Sequence, residues 1–288
     1  MHRFKDIDIY FYMSSVSCLN YQDFFKIKKY GYKIIYDYYD ELSDMIANTD
    51  DATKSHSKLA KINPQIILAT SQRLYDDIKA QMPFKKEIYL VKNGVTIEDF
   101  VKPESEVPAD LFEILNQDKP IVGYYGYLAE WIDLELVEKC LQDKPEYNFV
   151  FIGKSHTGYN YNNLLKYHNF HFLGHKDYKE LYKYSSRFDC AIIPFKLGNI
   201  AKATSPNKLF EFMALGIPTV CTRDMLECRG FDGVFVSEDN ESFVEDIDRA
   251  LAISKDKNVV EKLKQTASDN TWESKADEIY KLLEKFNF

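Results

Sequence analysis

The sequence contains few of the residues that interrupt regular structure, with 11 glycines and 9 prolines among 288 residues. Together these two types fall well below the roughly 12% of an average protein, which excludes collagen-like chains and chains made mainly of linkers. Tryptophan is also scarce, at 2 residues, whereas 21 tyrosines and 20 phenylalanines raise the aromatic fraction to 15%. Tyrosine buries its ring while its hydroxyl stays in water, so this composition suits sheet surfaces and clefts.

Several signals of specialised proteins are also missing. The five cysteines are an odd number without a CxxC pair, which argues against a disulfide framework and a zinc ribbon. The six histidines form neither an HExxH motif nor a cluster with cysteine, so no metal site is predicted. The sequence has no apolar run of about 18 residues and no signal-peptide core near its start. We therefore expect a cytoplasmic protein, with any peripheral attachment at the inner face of the cell membrane.

An excess of positive charge is absent, because 45 acidic residues outnumber 37 basic ones and the formal net charge is -8. Binding to phosphate backbones needs a basic surface, so no nucleic-acid partner is expected. The hydrophobic fraction of 45% and the charged fraction of 28% are typical of a packed globular protein. The length suggests one large domain or two ordinary ones.

Short apolar runs rich in Ile, Val, Phe and Tyr alternate with helical patterns along the chain. The runs cover residues 6–12, 33–37, 65–70 and 87–91, and, after a polar stretch, residues 121–126, 149–153, 170–174, 190–195, 218–221 and 234–237. Strands that are apolar on both faces and alternate with helices indicate a parallel sheet covered on both sides. The predicted fold class is therefore α/β, with two doubly wound parallel-sheet, Rossmann-like domains.

The two series of strands divide the chain into domains. We predict a first domain over residues 1–102, a second over 103–268 and a C-terminal helix within 269–288. The stretch 102–118, with two prolines and several acidic residues, is the predicted linker. The first domain has only about four predicted strands and is expected to be incomplete. Either the chain is a fragment, or a protein partner or self-association completes this domain.

Three predicted strands of the second domain end in glycine, at Gly126, Gly153 and Gly174. Ligands of open α/β sheets bind beyond the carboxyl ends of the strands. These positions therefore mark either tight turns that need positive φ or a cleft where backbone approaches a ligand. Neither GYYG nor FIGKS matches the GxGxxG fingerprint or the P-loop. A nucleoside triphosphatase is therefore not supported, and a nicotinamide-dependent oxidoreductase would lack its glycine fingerprint.

Residues 194–220 contain the signals of a helix that begins at a ligand site. Ser205 is the predicted N-cap, Pro206 suits the first helical position and Gly216 marks the end. The N-terminus of such a helix presents free N–H groups and the positive end of its dipole, which favours an anion.

Polar side chains surround this predicted helix start in the sequence. Lys196, Lys202 and Lys208 suit a diphosphate, and Glu211 could accept hydrogen bonds from ribose hydroxyls. Asn207 lies in the first turn. The alternative is an ordinary surface helix on which Lys208 and Glu211 pair at i, i+3.

Six segments follow one another along the chain in a characteristic order and spacing. They are VKNGVTIEDF (91–100), IVGYYGYLAEWID (121–133), FVFIG (149–153), FHFLGHKDYKELYKYSSRFDCAIIPF (170–195), SPNKLFEFMALGIPTV (205–220) and TWESKADEIYKLL (271–283). This order resembles glycosyltransferase family 4, whose members have the GT-B fold, over nearly all of residues 33–283. The YYGYLAEWID version is similar to a subgroup that acts in bacterial surface polysaccharide assembly.

This resemblance implies a donor site in the second domain for a nucleotide-diphosphate sugar, which is a substrate, so that no cofactor and no metal are expected. Glu211 would hold the nucleotide ribose, and the helix start would bind the donor phosphates. The base would be lined by the stretch Gly174-His175-Lys176. The NGV turn would be the hinge between domains, and the last helix would return to the first domain. The donor-binding residues on this interpretation are Glu211, Lys208, Ser205, Asn207, Gly126, Lys196, Gly174 and His175.

Two departures from the family pattern affect the donor charge. Ala203 stands eight positions before Glu211, where the family often has glutamate. The segment GYLAEWIDLEL also lacks the Arg and Lys that commonly follow the first glycine. The residues left to meet the donor charge are Lys208, the first choice because it lies in the first turn, then Lys196, and also Lys202 and Lys154.

The acceptor side is predicted in the segment IIYDYYDE (34–41). It resembles a family segment that often ends in a histidine–acid pair, but Tyr39 occupies the histidine position. Asp40, beside it, is the preferred catalytic residue, and Asp37, at the expected strand end, is the second. The alternative is that these acids stabilise a helix N-terminus through its dipole.

The leading hypothesis is an enzyme that moves a sugar from a nucleotide-diphosphate sugar to a saccharide or lipid-linked acceptor in polysaccharide biosynthesis. The resemblance implies retention of the anomeric configuration. The alternative is a non-catalytic or partner-dependent subunit that binds nucleotide sugars, because the first domain is short and Tyr39 replaces the histidine.

Overall fold

The computed structural model describes residues 10–14, 26, 29–39, 59–81, 87–103 and 106–285. The chain divides into two compact units, and each has its own hydrophobic core. The first unit is Met1–Lys92 with Ala203–Ser205, and the second is Asn93–Lys202 with Pro206–Phe288. In the described part of the chain, no helix is both long enough and apolar enough to cross a membrane.

The first unit is built on a parallel sheet with four described strands in chain order, β1 (Tyr10–Met13), β2 (Lys33–Tyr38), β3 (Ile66–Ala69) and β4 (Glu87–Leu90). Helix α1 (Gln72–Gln81) connects β3 to β4 and begins where the Ser71 hydroxyl accepts a hydrogen bond from the Leu74 N–H. Leu74 and Ile78 on α1 join the buried core with Ile67 of β3. The helix therefore covers one face of the sheet, as a parallel arrangement requires.

The second unit is built on a parallel six-stranded sheet in the order β10-β9-β8-β5-β6-β7. The strands are β5 (Ile121–Tyr125), β6 (Asn148–Ile152), β7 (Phe170–Phe172), β8 (Cys190–Ile193), β9 (Thr219–Thr222) and β10 (Val234–Ser237). The chain proceeds outward from β5 on one side and then returns to build β8 on the other, which makes β5 and β8 the topological switch point. The predicted fold class, two parallel-sheet α/β domains, is confirmed.

The remaining helices follow along the chain. They are α2 (Ile97–Phe100), α3 (Ala109–Leu115), α4 (Leu134–Asp143), α5 (Leu181–Ser185), α6 (Asn199–Ala203), α7 (Asn207–Leu215), α8 (Asn240–Ile253), α9 (Lys257–Asp269) and α10 (Trp272–Lys285). The prediction that residues 102–118 form the linker is wrong at α3. Leu111 and Ile114, one helical turn apart on α3, are buried in the core of the second unit.

Each predicted apolar run in the described residues contains a strand, with ends that differ by a few residues. The run 190–195 ends as a strand at Ile193, because Pro194 has no N–H to donate. The run 121–126 ends at Tyr125, because Gly126 turns away with φ of 142°. Residues 6–9 of the first run lie outside the described residues.

The NGV turn, residues 93–95, is held by the start of the C-terminal helix. The Val95 N–H donates to the Asn270 carbonyl oxygen at 3.0 Å, and the Trp272 N–H donates to the Val95 carbonyl oxygen at 3.2 Å. A Cβ atom at Gly94 would lie 2.9 Å from the backbone carbon of Thr271, so only glycine allows this approach. The return of the last helix to the first domain stays a prediction.

Candidate functional site

Three glycines lie side by side at the carboxyl edge of the second sheet, Gly126 and Gly153 directly after β5 and β6, and Gly174 two residues after the end of β7. The Gly126 N–H donates to the Ile152 carbonyl oxygen, and the Gly153 N–H donates to the Gly174 carbonyl oxygen, each at 2.9 Å. All three have positive φ. A Cβ atom at Gly153 would overlap the Gly126 carbonyl oxygen. The tight turns therefore bring bare backbone together at the edge where parallel sheets bind ligands.

Glu211 is a buried carboxylate in the middle of α7, with a relative exposure of 5%. It accepts hydrogen bonds from the Tyr125 hydroxyl at 2.6 Å and the Tyr178 hydroxyl at 2.8 Å. Burial raises the pKa of Glu211, although the two tyrosine hydroxyls and the charge of Lys208 act in the opposite direction. Every residue of α7 from Leu209 to Ala214 is buried, so the alternative reading of an ordinary surface helix is wrong.

Lys208, one turn before Glu211, places its ammonium group among aromatic rings. Its Nζ atom donates to the Tyr124 hydroxyl at 3.3 Å and lies 4.5 Å from the Tyr124 ring centre and 5.4 Å from that of Phe195. Loss of water around the ammonium lowers the pKa of Lys208 to about 8, although the charge of Glu211 acts against this. A Cβ atom at Gly126 would lie 2.6 Å from Nζ, so Lys208 reaches the glycine edge.

The start of α7 differs by one residue from the prediction. Pro206, with extended backbone, occupies the N-cap position without a side-chain hydrogen bond, and Asn207 is the first helical residue. Ser205 lies one residue earlier and is buried, so the prediction that Ser205 caps the helix is wrong. Asn207 is exposed at the first position of the helix.

The other lysines with a predicted donor role have different surroundings. Lys202 lies 3.6 Å from the Asp224 carboxylate. Lys196 is exposed beyond β8, and its backbone N–H donates to the Trp131 carbonyl oxygen at 2.7 Å. Lys154, after β6, is also exposed. The structure therefore brings Lys208 directly to the glycine edge and pairs Lys202 with an acid.

The loop after β7 is anchored to α3. Lys176 donates to Asp110 at 2.6 Å, and the Tyr184 hydroxyl donates to the other oxygen of the same carboxylate at 3.0 Å. Burial raises the pKa of Asp110, but the hydrogen bonds from Lys176 and Tyr184 outweigh it and leave the pKa below its usual value. These contacts hold the loop that carries Gly174, while the His175 side chain is exposed.

Sequence reasoning missed the tyrosines that surround Lys208 and Glu211. Tyr124 and Tyr125 end β5, and Tyr178 begins a short 3-10 turn over Tyr178–Glu180. Tyr125 is buried, whereas Tyr178 is 47% exposed and packs edge-on against Phe100 with ring centres 5.7 Å apart. The signal in the sequence was the pair of tyrosines directly before a strand-end glycine.

In the first unit, Asp37 lies inside β2 and not at its end, because the strand continues to Tyr38. The Tyr12 hydroxyl donates to the Asp37 carboxylate at 2.6 Å. Burial raises the pKa of Asp37, although this hydrogen bond acts in the opposite direction. Tyr39 is 43% exposed. Asp40, the preferred catalytic residue, lies outside the described residues, so its role stays a prediction.

A surface pocket of about 320 Å³ lies at the far end of α7, where Ala214 and Leu215 line it together with Phe100 and Lys264. This pocket is separate from Lys208 and Glu211, which lie in the first two turns of the helix. Among the described residues, no group of three or more His, Cys, Asp or Glu side chains is placed to hold a metal ion.

Comparison with known proteins shows which proteins this chain is similar to. Residues 120–252 match the family described as Glycosyl transferases group 1. TuaH of Bacillus subtilis (strain 168), which is assigned to teichuronic acid biosynthesis as a glycosyltransferase, is 28% identical over 159 residues. That alignment covers 54% of this chain and 40% of TuaH, so the chain matches about two fifths of the relative's length.

Solved structures show the same architecture. Anabaena Alr3699/HepE in complex with UDP superimposes with a TM-score of 0.75 and 14% identity, covering 96% of this chain and 79% of that one. Sucrose-phosphate synthase from Thermosynechococcus elongatus gives 0.68 and 16%, covering 96% and 73%. The chain therefore has the fold of GT-B glycosyltransferases. The residues that match the family described as Glycosyl transferases group 1, 120–252, lie in its second unit, except for Ala203–Ser205.

Proposed function

We propose that this chain is a glycosyltransferase that moves a sugar from a nucleotide-diphosphate sugar to a saccharide or lipid-linked acceptor in polysaccharide biosynthesis. The observation that carries the proposal is the pair formed by Lys208 and Glu211, one turn apart on α7, with the Lys208 ammonium beside Gly126. One turn of helix thus offers a cation for a diphosphate and a buried carboxylate for ribose hydroxyls. Similarity to TuaH, and to HepE structures that contain UDP or UDP-glucose, supports this choice.

In the proposed reaction the bond between the anomeric carbon and the diphosphate oxygen breaks, and its electron pair leaves with the diphosphate. The acceptor hydroxyl forms the new bond to the anomeric carbon and loses its proton to a base. Lys208 and the N–H groups at the start of α7 would stabilise the charge that develops on the leaving diphosphate. With these groups present, the proposed mechanism uses no metal ion, and we infer a retaining outcome from the family resemblance.

The acceptor side is proposed for the first unit, with Asp40 as the residue that orients or deprotonates the acceptor and Asp37 as the second choice. The hydrogen bond from Tyr12 gives Asp37 a fixed position in β2. A lipid-linked acceptor would require the chain to work at the inner face of the cell membrane. We also propose that a protein partner or self-association completes the first unit.

The proposal is tested by measuring release of nucleoside diphosphate from UDP-glucose, GDP-mannose and related donors, with and without a crude saccharide or lipid acceptor fraction. We expect one donor to be consumed faster when acceptor is present, and no release by the Lys208→Met variant. Binding of a nucleotide sugar without any release would instead support the alternative, a non-catalytic subunit.

The low pKa of Lys208 predicts a pH dependence of donor binding. Lys208 is charged below about pH 8 and loses its proton above it, whereas an ordinary lysine stays charged to about 10.5. The affinity for a nucleoside diphosphate should therefore fall above pH 8, by up to about tenfold per pH unit. A diphosphate is already fully ionised there, because its last pKa lies near 6.

Titration calorimetry at pH 7, 8 and 9 would check this dependence, with the bare nucleoside as the control ligand. The nucleoside affinity should stay constant, and the Lys208→Met variant should show a flat profile for both ligands. A wild-type affinity for the diphosphate that does not change between pH 7 and 9 would show that Lys208 does not meet the donor charge.

A further inference from the structure

The loop that follows Gly126 presents an aromatic surface on the second unit. Tyr127 is 41% exposed, and its ring centre lies 6.2 Å from that of Trp131 on the same loop. The centre of the His156 ring, from the loop after β6, lies 6.1 Å from that of Tyr127. We call Tyr127, Trp131 and His156 the aromatic platform. It lies entirely within the second unit.

The backbone of the loop that carries Tyr127 and Trp131 is held by hydrogen bonds to the two neighbouring loops. The Leu128 N–H donates to the Lys154 carbonyl oxygen, and the His156 N–H donates to the Leu128 carbonyl oxygen, both at 2.8 Å. On the other side, the Lys196 N–H donates to the Trp131 carbonyl oxygen at 2.7 Å. The loop is thus clamped between the loops after β6 and β8, while the buried side chain of Leu128 anchors it in the core. A loop backbone held in this way loses little conformational entropy when a ligand binds.

A carboxylate lies at the rim of the platform. Glu130 is exposed, and the His156 Nδ1 atom lies 3.1 Å from its Oε1 atom. The Glu130 carboxylate accepts a hydrogen bond from its own backbone N–H, and this bond and the contact with His156 lower the pKa of Glu130, so this group stays ionised at neutral pH. Trp131 is half-buried and packs against the core of the unit. Aromatic rings beside an ionised acceptor suit a ligand with one apolar face and a hydroxyl edge.

We propose that the aromatic platform binds the sugar ring of the donor, with the C–H face of a pyranose against Tyr127 and Trp131 and its hydroxyls toward Glu130. The position of the platform favours the donor sugar as its ligand, because the loop begins at Gly126. The Lys208 ammonium, which is proposed to bind the diphosphate, lies beside that glycine. This inference rests on the proposed function and assigns the substrate sugar to residues of the same unit.

The sequence offers a direct reporter for this proposal, because it contains only two tryptophans, Trp131 and Trp272. The Trp272→Phe variant keeps the backbone hydrogen bond to Val95 and leaves Trp131 as the single tryptophan, so its emission can be followed with excitation that tyrosine does not absorb. This variant of the full chain would be titrated with UDP, UDP-glucose and free glucose, and with GDP and GDP-mannose as a second set. We expect the nucleotide sugar to change the Trp131 emission well beyond the change that its nucleoside diphosphate causes.

Substitutions on the platform then distinguish binding of the sugar from binding of the nucleotide. Tyr127→Ala and Trp131→Ala should each weaken the nucleotide sugar about tenfold, near the upper end for an aromatic contact, without changing the affinity for the nucleoside diphosphate. Of the two substitutions, Tyr127→Ala should disturb the fold less, because Tyr127 is more exposed than Trp131. The matched control is Tyr280→Ala, an exposed tyrosine on α10, which should leave both affinities unchanged.

Equal losses for the nucleotide sugar and the nucleoside diphosphate would overturn the proposal, since the rings would then only support the loop. Emission that responds to free saccharides but not to the sugar of the donor would also overturn it, in favour of an acceptor subsite. Failure of every nucleoside diphosphate to bind would contradict the proposed function itself. Normal nucleoside diphosphate binding with an unresponsive Trp131 would contradict the platform alone.

Discussion

Replacing Lys208 with methionine should weaken binding of a nucleoside diphosphate by about 2–3 kcal/mol, roughly 30–150-fold, and leave the bare nucleoside unchanged. Methionine matches the length of the lysine stem and can keep the contacts with the Tyr124 and Phe195 rings. The change therefore removes the charge and little else. The measurement is calorimetric titration of the wild type and the variant with UDP, UDP-glucose and uridine.

The matched control is Lys202→Met, which removes the same charge from a lysine that Asp224 already pairs. We expect a change of less than about 1 kcal/mol there, the range for an exposed ion pair. Equal losses of UDP and uridine in Lys208→Met would point to damaged packing around Tyr124. A larger loss in Lys202→Met than in Lys208→Met would move the phosphate site to the other lysine.

Replacing Glu211 with alanine should weaken nucleotide binding by about 1.5–3 kcal/mol, the range for hydrogen bonds to a charged group. The physical reason is the loss of a carboxylate that can accept from ribose hydroxyls as well as from Tyr125 and Tyr178. The diagnostic ligand pair is UDP and 2′-deoxy-UDP, titrated side by side. The wild type should prefer UDP, and the variant should lose most of that preference.

Glu211→Ala also leaves the buried Tyr125 hydroxyl without its acceptor, so a structural effect must be separated from a ligand effect. Glu211→Gln is the matched variant, because it fills the same volume and retains one acceptor oxygen. We expect it to restore the thermal unfolding temperature more completely than the affinity for UDP. If both variants keep the preference for UDP over 2′-deoxy-UDP and lower only the unfolding temperature, Glu211 supports the fold and does not bind ribose.

The sequence was sufficient for the sheets and the glycine edge, for a physical reason. Strands such as β5 and β6 are apolar on both faces and are followed by glycine, so local composition specifies both the buried strand and its turn. The predicted N-cap, Ser205, differs by one residue from the observed one, because the Ser-Pro pattern does not decide which residue occupies the N-cap position. The backbone of Pro206 settles it, with an extended ψ of 119°.

The surroundings of Glu211 were beyond local reasoning. Its two hydrogen-bond donors are 86 and 33 residues away in the sequence, and only the order of the strands brings them together. The same limit applied to the stretch 102–118, where prolines and acids suggested a linker. Leu111 and Ile114 are buried there because the second sheet offers them a core, which composition alone does not reveal.

The most direct test of whether Lys208 and Glu211 bind the donor nucleotide is a crystal structure determined from crystals of the full chain soaked with UDP. We expect the diphosphate within hydrogen-bond distance of the Lys208 Nζ atom, beside Gly126, and the ribose hydroxyls on the Glu211 carboxylate. UDP bound elsewhere, for example in the pocket lined by Phe100 and Lys264, with Lys208 and Glu211 untouched, would contradict it.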